Sequence, residues 1–190
     1  MSRVFWVRHG PTHAKTMVGW SDLPADLSDT ARLSRLTAFL PGDALVVSSD
    51  LSRAVTTADA ISGPRQRLPH DPALREMHFG DWELKRHAEI EDQAHARRFW
   101  EQPGDIRPPG GESWHELTAR VDGAVARLIA ENPDADIIAV AHFGAILSQL
   151  QQALRLTPYE AFSHRIDNLS VTELHRRGTG WHAERFNHCP

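Results

Sequence analysis

Arg3-Val4-Phe5-Trp6-Val7-Arg8-His9-Gly10 sets an unbroken apolar run directly against two basic side chains and a glycine. Val4 to Val7 is too short for a helix and has no polar alternation, so it reads as a strand buried on both faces, as in a parallel sheet. Two further runs repeat the arrangement. Ala44 to Val47 leads into Ser48-Ser49-Asp50-Leu51-Ser52-Arg53, and Ile137 to Ala141 leads into His142-Phe143-Gly144.

Helical spacing fills the intervals. Leu27, Leu33, Leu36, Phe39 and Leu40 predict a crossover helix with Ser28 as its N-cap and Pro41-Gly42 as its stop. Leu51, Ala54, Val55, Ala58 and Ile61 predict a second, ending at Gly63-Pro64. A long helix is expected from Glu112 to about Asn132, and another from Ala145 to Leu154. The alternation is that of an α/β fold. Ser170 to His175 and Trp181 to Phe186 read as strands of a hairpin joined through Arg176-Arg177-Gly178-Thr179-Gly180. With 190 residues and 41% hydrophobic content, one domain spanning 1–190 is the expectation, with an insertion at about 76–113 flanking the site.

A net charge of −4 with no basic run argues against a nucleic-acid partner. The apolar start is too short for a signal peptide and no run is long enough to span a bilayer. No membrane partner is therefore expected, and a cytoplasmic protein is. Cys189, the only cysteine, offers neither an intramolecular disulfide nor a cysteine-based metal site.

Ligands of open α/β sheets bind beyond the carboxyl ends of the strands. All three runs end there in chemically capable residues: Arg8-His9-Gly10, the segment from Ser49 to Arg53, and His142-Phe143-Gly144. Arg8 and Arg53 would supply two guanidinium forks that match phosphoryl oxygens in charge and geometry. A neutral imidazole attacks phosphorus well when a backbone carbonyl holds its other ring nitrogen, and His9 suits that role.

Four separated motifs carry a family resemblance. They are Val7-Arg8-His9-Gly10-Pro11-Thr12, Ser48 to Ala58 (SSDLSRAVTTA), Leu74 to Glu83 (LREMHFGDWE), and Val140-Ala141-His142-Phe143-Gly144. Their order and spacing make the chain resemble the histidine phosphatase (phosphoglycerate mutase-like) superfamily over nearly its whole length. That resemblance implies a three-layer α/β/α sandwich with a mostly parallel sheet and helices on both faces. It implies a histidine acid-type phosphatase, a phosphoric monoester hydrolase in which His9 becomes phosphohistidine. Arg8, Arg53 and His142 would surround the phosphoryl oxygens, and Glu76 would serve as general acid and then base. Thr12 and Lys15 are counted with the phosphate- and substrate-binding residues. No cofactor or metal is implied, and His115-Glu116 lacks a second histidine because position 119 is Ala.

Several positions depart from the family pattern. Lys15 stands where relatives often have Asn, Leu84 follows Glu83 where many have glycine, and Phe143 replaces a commoner small residue. Trp82, Phe99, Trp100 and Trp114 are expected to pack the 76–113 segment rather than line a pocket. The remaining histidines receive no role, His78 and His115 being the first exceptions to consider.

Hydrolysis of a small phosphomonoester is the leading expectation, since Pro11-Thr12 replaces the Glu-Ser usual in the glycolytic mutases. A mutase-type phosphoryl transferase and a catalytically weak phosphate-binding protein are the alternatives. α-Ribazole phosphate, a sugar phosphate, a nucleotide and a phosphoprotein all stay open as the phosphorylated substrate. The family contains monomers and dimers, so a homodimer is a further partner to consider.

Overall fold

The computed structural model describes residues 2–178 and 180–190. Strand β1 (Arg3–Arg8) is followed by α1 (Thr30–Phe39), β2 (Leu45–Ser48) and α2 (Ser52–Ser62). Next come α3 (Gln93–Glu101), α4 (Trp114–Glu131), β3 (Asp136–Ala141), α5 (Phe143–Leu154), α6 (Pro158–Ala161), β4 (Val171–Arg177) and β5 (Gly180–His188). The five strands form one sheet in the order β2-β3-β1-β4-β5. β1, β2 and β3 run parallel, with Val4 opposite Ile137 and Leu45 opposite Ile137 on the other side. β4 pairs antiparallel with β1 and β5, so the sheet is not purely parallel. Thr179, inside the expected hairpin connection, and Met1 lie outside the described residues.

Why the first strand is apolar without alternation is visible in the core. Val4 and Trp6 join one buried cluster with Leu117, Val121 and Val125 of α4 and Ile146 and Leu150 of α5. Phe5 and Val7 join another with Leu33 and Leu36 of α1 and Ala54, Ala58 and Ile61 of α2. Both faces of the strand lose water, so every side chain must be apolar. Because the three parallel strands point the same way, Arg8, Ser48 and Ala141 end at one edge of the sheet.

The helix α1 begins one residue later than the Ser28 cap predicts. Asp26 Oδ1 accepts from the Ser28 amide at 2.9 Å and the Ser28 carbonyl accepts from Thr30, so Ser28 is committed to a turn. Asp29 caps instead, its carboxylate accepting from the Arg32 amide at 3.0 Å. At the opposite ends of α1 and α2, the buried Arg65 guanidinium donates to the carbonyls of Thr37, Leu40 and Pro41 and to those of Ile61 and Ser62. One cation thus closes the carbonyl ends of two helices.

α4 starts at Trp114 rather than Glu112, where Ser113 and Glu116 form a reciprocal cap. The 76–113 segment is more ordered than its sequence suggests: it contains α3 and two single 3₁₀ turns, Gly80–Trp82 and His87–Glu89. Its aromatics pack, as expected. Trp82 lies 5.4 Å from Phe99 between ring centres, Phe99 lies 4.8 Å from Trp100, and Trp114 lies 4.8 Å from Phe162. No helix among the described residues is long and apolar enough to cross a membrane.

Candidate active site

The site grows from the point where β1 stops. The His9 amide still donates to Ala141 O at 3.1 Å, and Asn168 Nδ2 donates to the His9 carbonyl at 2.8 Å. Gly10 then leaves the sheet, its amide donating to Thr57 Oγ1 of α2 at 2.9 Å. His9 is therefore held from three separate stretches of chain. Its ring Nδ1 lies 2.6 Å from the Gly10 carbonyl oxygen, which only accepts, so the proton sits on Nδ1 and Nε2 keeps its lone pair. Burial, reinforced by the Arg53 and Arg8 charges, pushes the His9 pKa down to about 3, and the ring is neutral at ordinary pH.

His142, the residue just before α5, faces it with ring centres 5.0 Å apart. Ser49 Oγ lies 2.7 Å from its Nε2, while its buried Nδ1 has no hydrogen-bond partner among the described residues. Burial and the neighbouring His9, Arg53 and Arg8 hold its pKa well below the usual histidine value. Arg8 donates to Ile166 O at 2.6 Å, and its guanidinium stands 5.6 Å from the Phe143 ring centre; among the described residues its buried Nε has no partner. These two orphaned nitrogens are polar capacity that the described residues do not satisfy.

Arg53, on the first turn of α2, is fully buried and donates to Gly19 O at 2.6 Å and Ser21 O at 2.9 Å. Glu76 is buried too. Its Oε1 accepts from the Met77 and Gly144 amides, each at 2.9 Å. Burial raises its pKa against these hydrogen bonds and the Arg53 and Arg8 charges. The backbone of Glu76 is fixed from outside: its carbonyl accepts from Trp20 Nε1 at 2.8 Å and from Arg120 at 3.2 Å.

An open recess of about 380 Å³ includes Arg8, His9, Thr12, Lys15 and Asn168 in its walls. It brings together four of the residues singled out in the sequence. Arg53, Glu76 and His142 do not line it; the Arg53 charge acts on His9, and that of Glu76 on Arg8. Thr12 is half-buried, with Ala14 N donating to its hydroxyl at 3.4 Å, and Lys15 is exposed. His78 stacks edge-on against Trp20, and His115 pairs with Asp105; neither reaches the recess. Among the described residues, no three His, Cys, Asp or Glu side chains gather as for a metal ion.

Three supporting residues escaped the sequence reading. Ser49 and Thr57 flank Arg53 within a quoted motif, so a position was visible without a role. Asn168, 159 positions from His9, had no local signal at all.

Comparison with known proteins gives the same answer. A sequence model of the histidine phosphatase superfamily (branch 1) matches residues 4–188. A glucosyl-3-phosphoglycerate phosphatase of Mycobacterium tuberculosis is 35% identical over 174 residues, covering 82% of this chain and 76% of that protein. An adenosylcobalamin/alpha-ribazole phosphatase of Escherichia coli is 33% identical over 175 residues, covering 87% and 85%. The solved structure of Bacillus stearothermophilus YhfR superposes with a TM-score of 0.91 at 25% identity, over 100% of this chain and 98% of that one. With a match that leaves only a few terminal residues outside it, the chain belongs to the histidine phosphatase superfamily, branch 1.

Proposed function

We propose that this protein is a phosphatase that hydrolyses a small phosphomonoester through a phosphohistidine on His9. The observation that carries the reading is the 2.6 Å contact between His9 Nδ1 and Gly10 O, which leaves a neutral Nε2 beside two guanidinium groups. In the first half-reaction Nε2 attacks phosphorus, the ester P–O bond breaks, and the leaving oxygen takes a proton from Glu76. Because both amides occupy Oε1, that proton belongs on Oε2. In the second, Glu76 as carboxylate takes a proton from water, whose oxygen displaces His9 and releases inorganic phosphate.

Arg8, Arg53 and His142 stabilise the equatorial oxygens, and the orphaned Arg8 Nε and His142 Nδ1 are donors suited to that task. His142 then carries its proton on Nδ1, with Nε2 accepting from the Ser49 hydroxyl. Thr12 and Lys15, at the mouth of the recess, meet the outer part of the substrate. The reading includes one domain over the whole chain, its sheet covered by α4 and α5 on one face and by α1 and α2 on the other as a three-layer sandwich. It also includes a cytoplasmic setting.

Phosphate release from a panel of small phosphomonoesters, with EDTA present, tests this against His9→Ala. Release by the native protein alone, with an acid-labile and alkali-stable phosphoenzyme on rapid quenching, is the expected result. Equal release by the variant would overturn it.

A further inference from the structure

Glu83 sits outside the reacting groups, yet its carboxylate receives five hydrogen bonds. Oε1 accepts from the amides of Trp20 at 2.7 Å and Phe79 at 3.1 Å. Oε2 accepts from the amides of Gly19 at 3.0 Å and Ser21 at 3.2 Å and from the Ser21 hydroxyl at 2.7 Å. Burial pushes the Glu83 pKa up, but these hydrogen bonds outweigh it and hold the group ionised below the usual glutamate value. The surrounding backbone is laced as well, with Met17 N donating to Lys85 O at 3.0 Å and Leu84 N to Met17 O at 2.8 Å.

What this loop does with its other polar atoms gives the carboxylate its significance. The Gly19 carbonyl, in the same peptide group as the captured Trp20 amide, and the Ser21 carbonyl, in the peptide group just after the captured Ser21 amide, are the two acceptors that hold the buried Arg53 guanidinium. Between them, Trp20 donates its indole N–H to the Glu76 carbonyl. The next residue, Asp22, accepts from the Ser52 amide at 2.8 Å and the Ser52 hydroxyl at 2.7 Å, docking the loop on the first turn of α2 beside Arg53. The fit leaves no slack. A Cβ on Gly19 would lie 2.1 Å from Met77 O and 2.3 Å from Glu83 Oε1.

We propose that Glu83 is a positioning residue for phosphoryl transfer, fixing through residues 19–21 both the phosphate-binding Arg53 and the acid Glu76. The proposal rests on the reading that those two residues serve the reaction. It makes the 19–21 loop part of the active-site architecture although none of its side chains enters the recess. Only a carboxylate supplies acceptors on both oxygens. An amide at position 83 would turn an N–H₂ group toward two amide donors whichever way it flipped, and the loop would have to move.

The test is a double-mutant cycle between Glu83→Gln and Arg53→Ala, read with p-nitrophenyl phosphate and with glycerol 2-phosphate, alongside thermal melts and inhibition by inorganic phosphate. With the aryl ester, whose leaving group needs little protonation, Glu83→Gln is expected to lower kcat/KM about 10-fold and weaken phosphate inhibition. In the Arg53→Ala background the same substitution is expected to cost less than about 2-fold, because coupled residues are not additive. With the alkyl ester the loss should be larger, reporting displaced Glu76. Additive losses in the cycle would overturn the Arg53 half, and equal losses on the two esters would overturn the Glu76 half. If Glu83→Gln does not fold, Ser21→Ala, which removes one of the five donors, runs the same cycle. Turnover that survives His9→Ala would overturn the underlying reaction instead, a result distinct from either.

Discussion

Gly144→Ala separates activity from stability at one atom. Gly144 is the second residue of α5, and its amide donates to Glu76 Oε1 at 2.9 Å. A Cβ there would lie 2.5 Å from that same oxygen and 3.2 Å from Leu117 Cδ2. Since ordinary carbon contacts fall near 3.5 Å, the carboxylate has to retreat by roughly 1 Å. Leu117 is fully buried and has little room to yield, so the Glu76 carboxylate moves. A 1 Å misplacement costs about 100-fold in rate, within the 10²–10⁴-fold that a general acid typically supplies. We therefore expect kcat/KM for an alkyl phosphate to fall about 100-fold, or about 2.7 kcal/mol, with a smaller loss for p-nitrophenyl phosphate. Stability should change little, because alanine gains up to about 1 kcal/mol over glycine in a helix and offsets the clash. Gly123→Ala on α4 is the control: among the described residues nothing lies within 4 Å of a Cβ there, so it should gain stability and keep full activity. Near-native turnover of the alkyl ester by Gly144→Ala would refute the placement of Glu76 as the acid.

Three other outcomes are expected. Burial raises Glu76 above its ordinary 4.5, so kcat/KM should fall on the alkaline side as it ionises, with a midpoint above that value, and Glu76→Gln should abolish this limb in a pH–rate profile. His9 binds a proton at about 3 when folded against 6.5 when unfolded, so between these values the unfolded chain holds more protons and stability falls on acidification. His9→Asn should flatten that fall, measured as urea midpoints at about pH 7.5 and about pH 4.5. Arg65→Met strips five helix-end carbonyls of their donor and should cost about 2–4 kcal/mol by urea denaturation.

The parallel strands were legible because burial on both faces demands unbroken apolar runs, and no other short element makes that demand of Val4 to Val7 or Ile137 to Ala141. Arg8, His9, Arg53 and His142 were legible because each lies a few residues past such a run, where the topology itself brings strand ends together. Glu76 came through the family motif alone, since an acidic residue in a loop carries no periodic signal. Helix α3 hid behind its mean polarity: only Ala96 and Phe99 are buried, too few to mark a face. Ser28 and Asp29 are both good caps, and the choice depended on Asp26 capturing the Ser28 amide. The roles of Glu83, Asn168 and Arg65 are set by backbone atoms far away in sequence, and backbone atoms are the same for every residue type.

The span from Arg8 to Asn168 has a consequence for how the protein comes into being. The Asn168 side chain reaches back to the His9 carbonyl, and Arg8 is tied to Ile166, Leu169 and Ser170. Contacts that close such long stretches of chain form late and slowly, because their loop entropy must be overcome before they contribute. A nascent polypeptide thus emerges with its first strand still unpaired, since both of that strand's neighbours in the sheet, β3 and β4, come from far downstream, and with its chemistry unassembled. The recess is complete only once Asn168, near the far end of the chain, has docked on the His9 carbonyl.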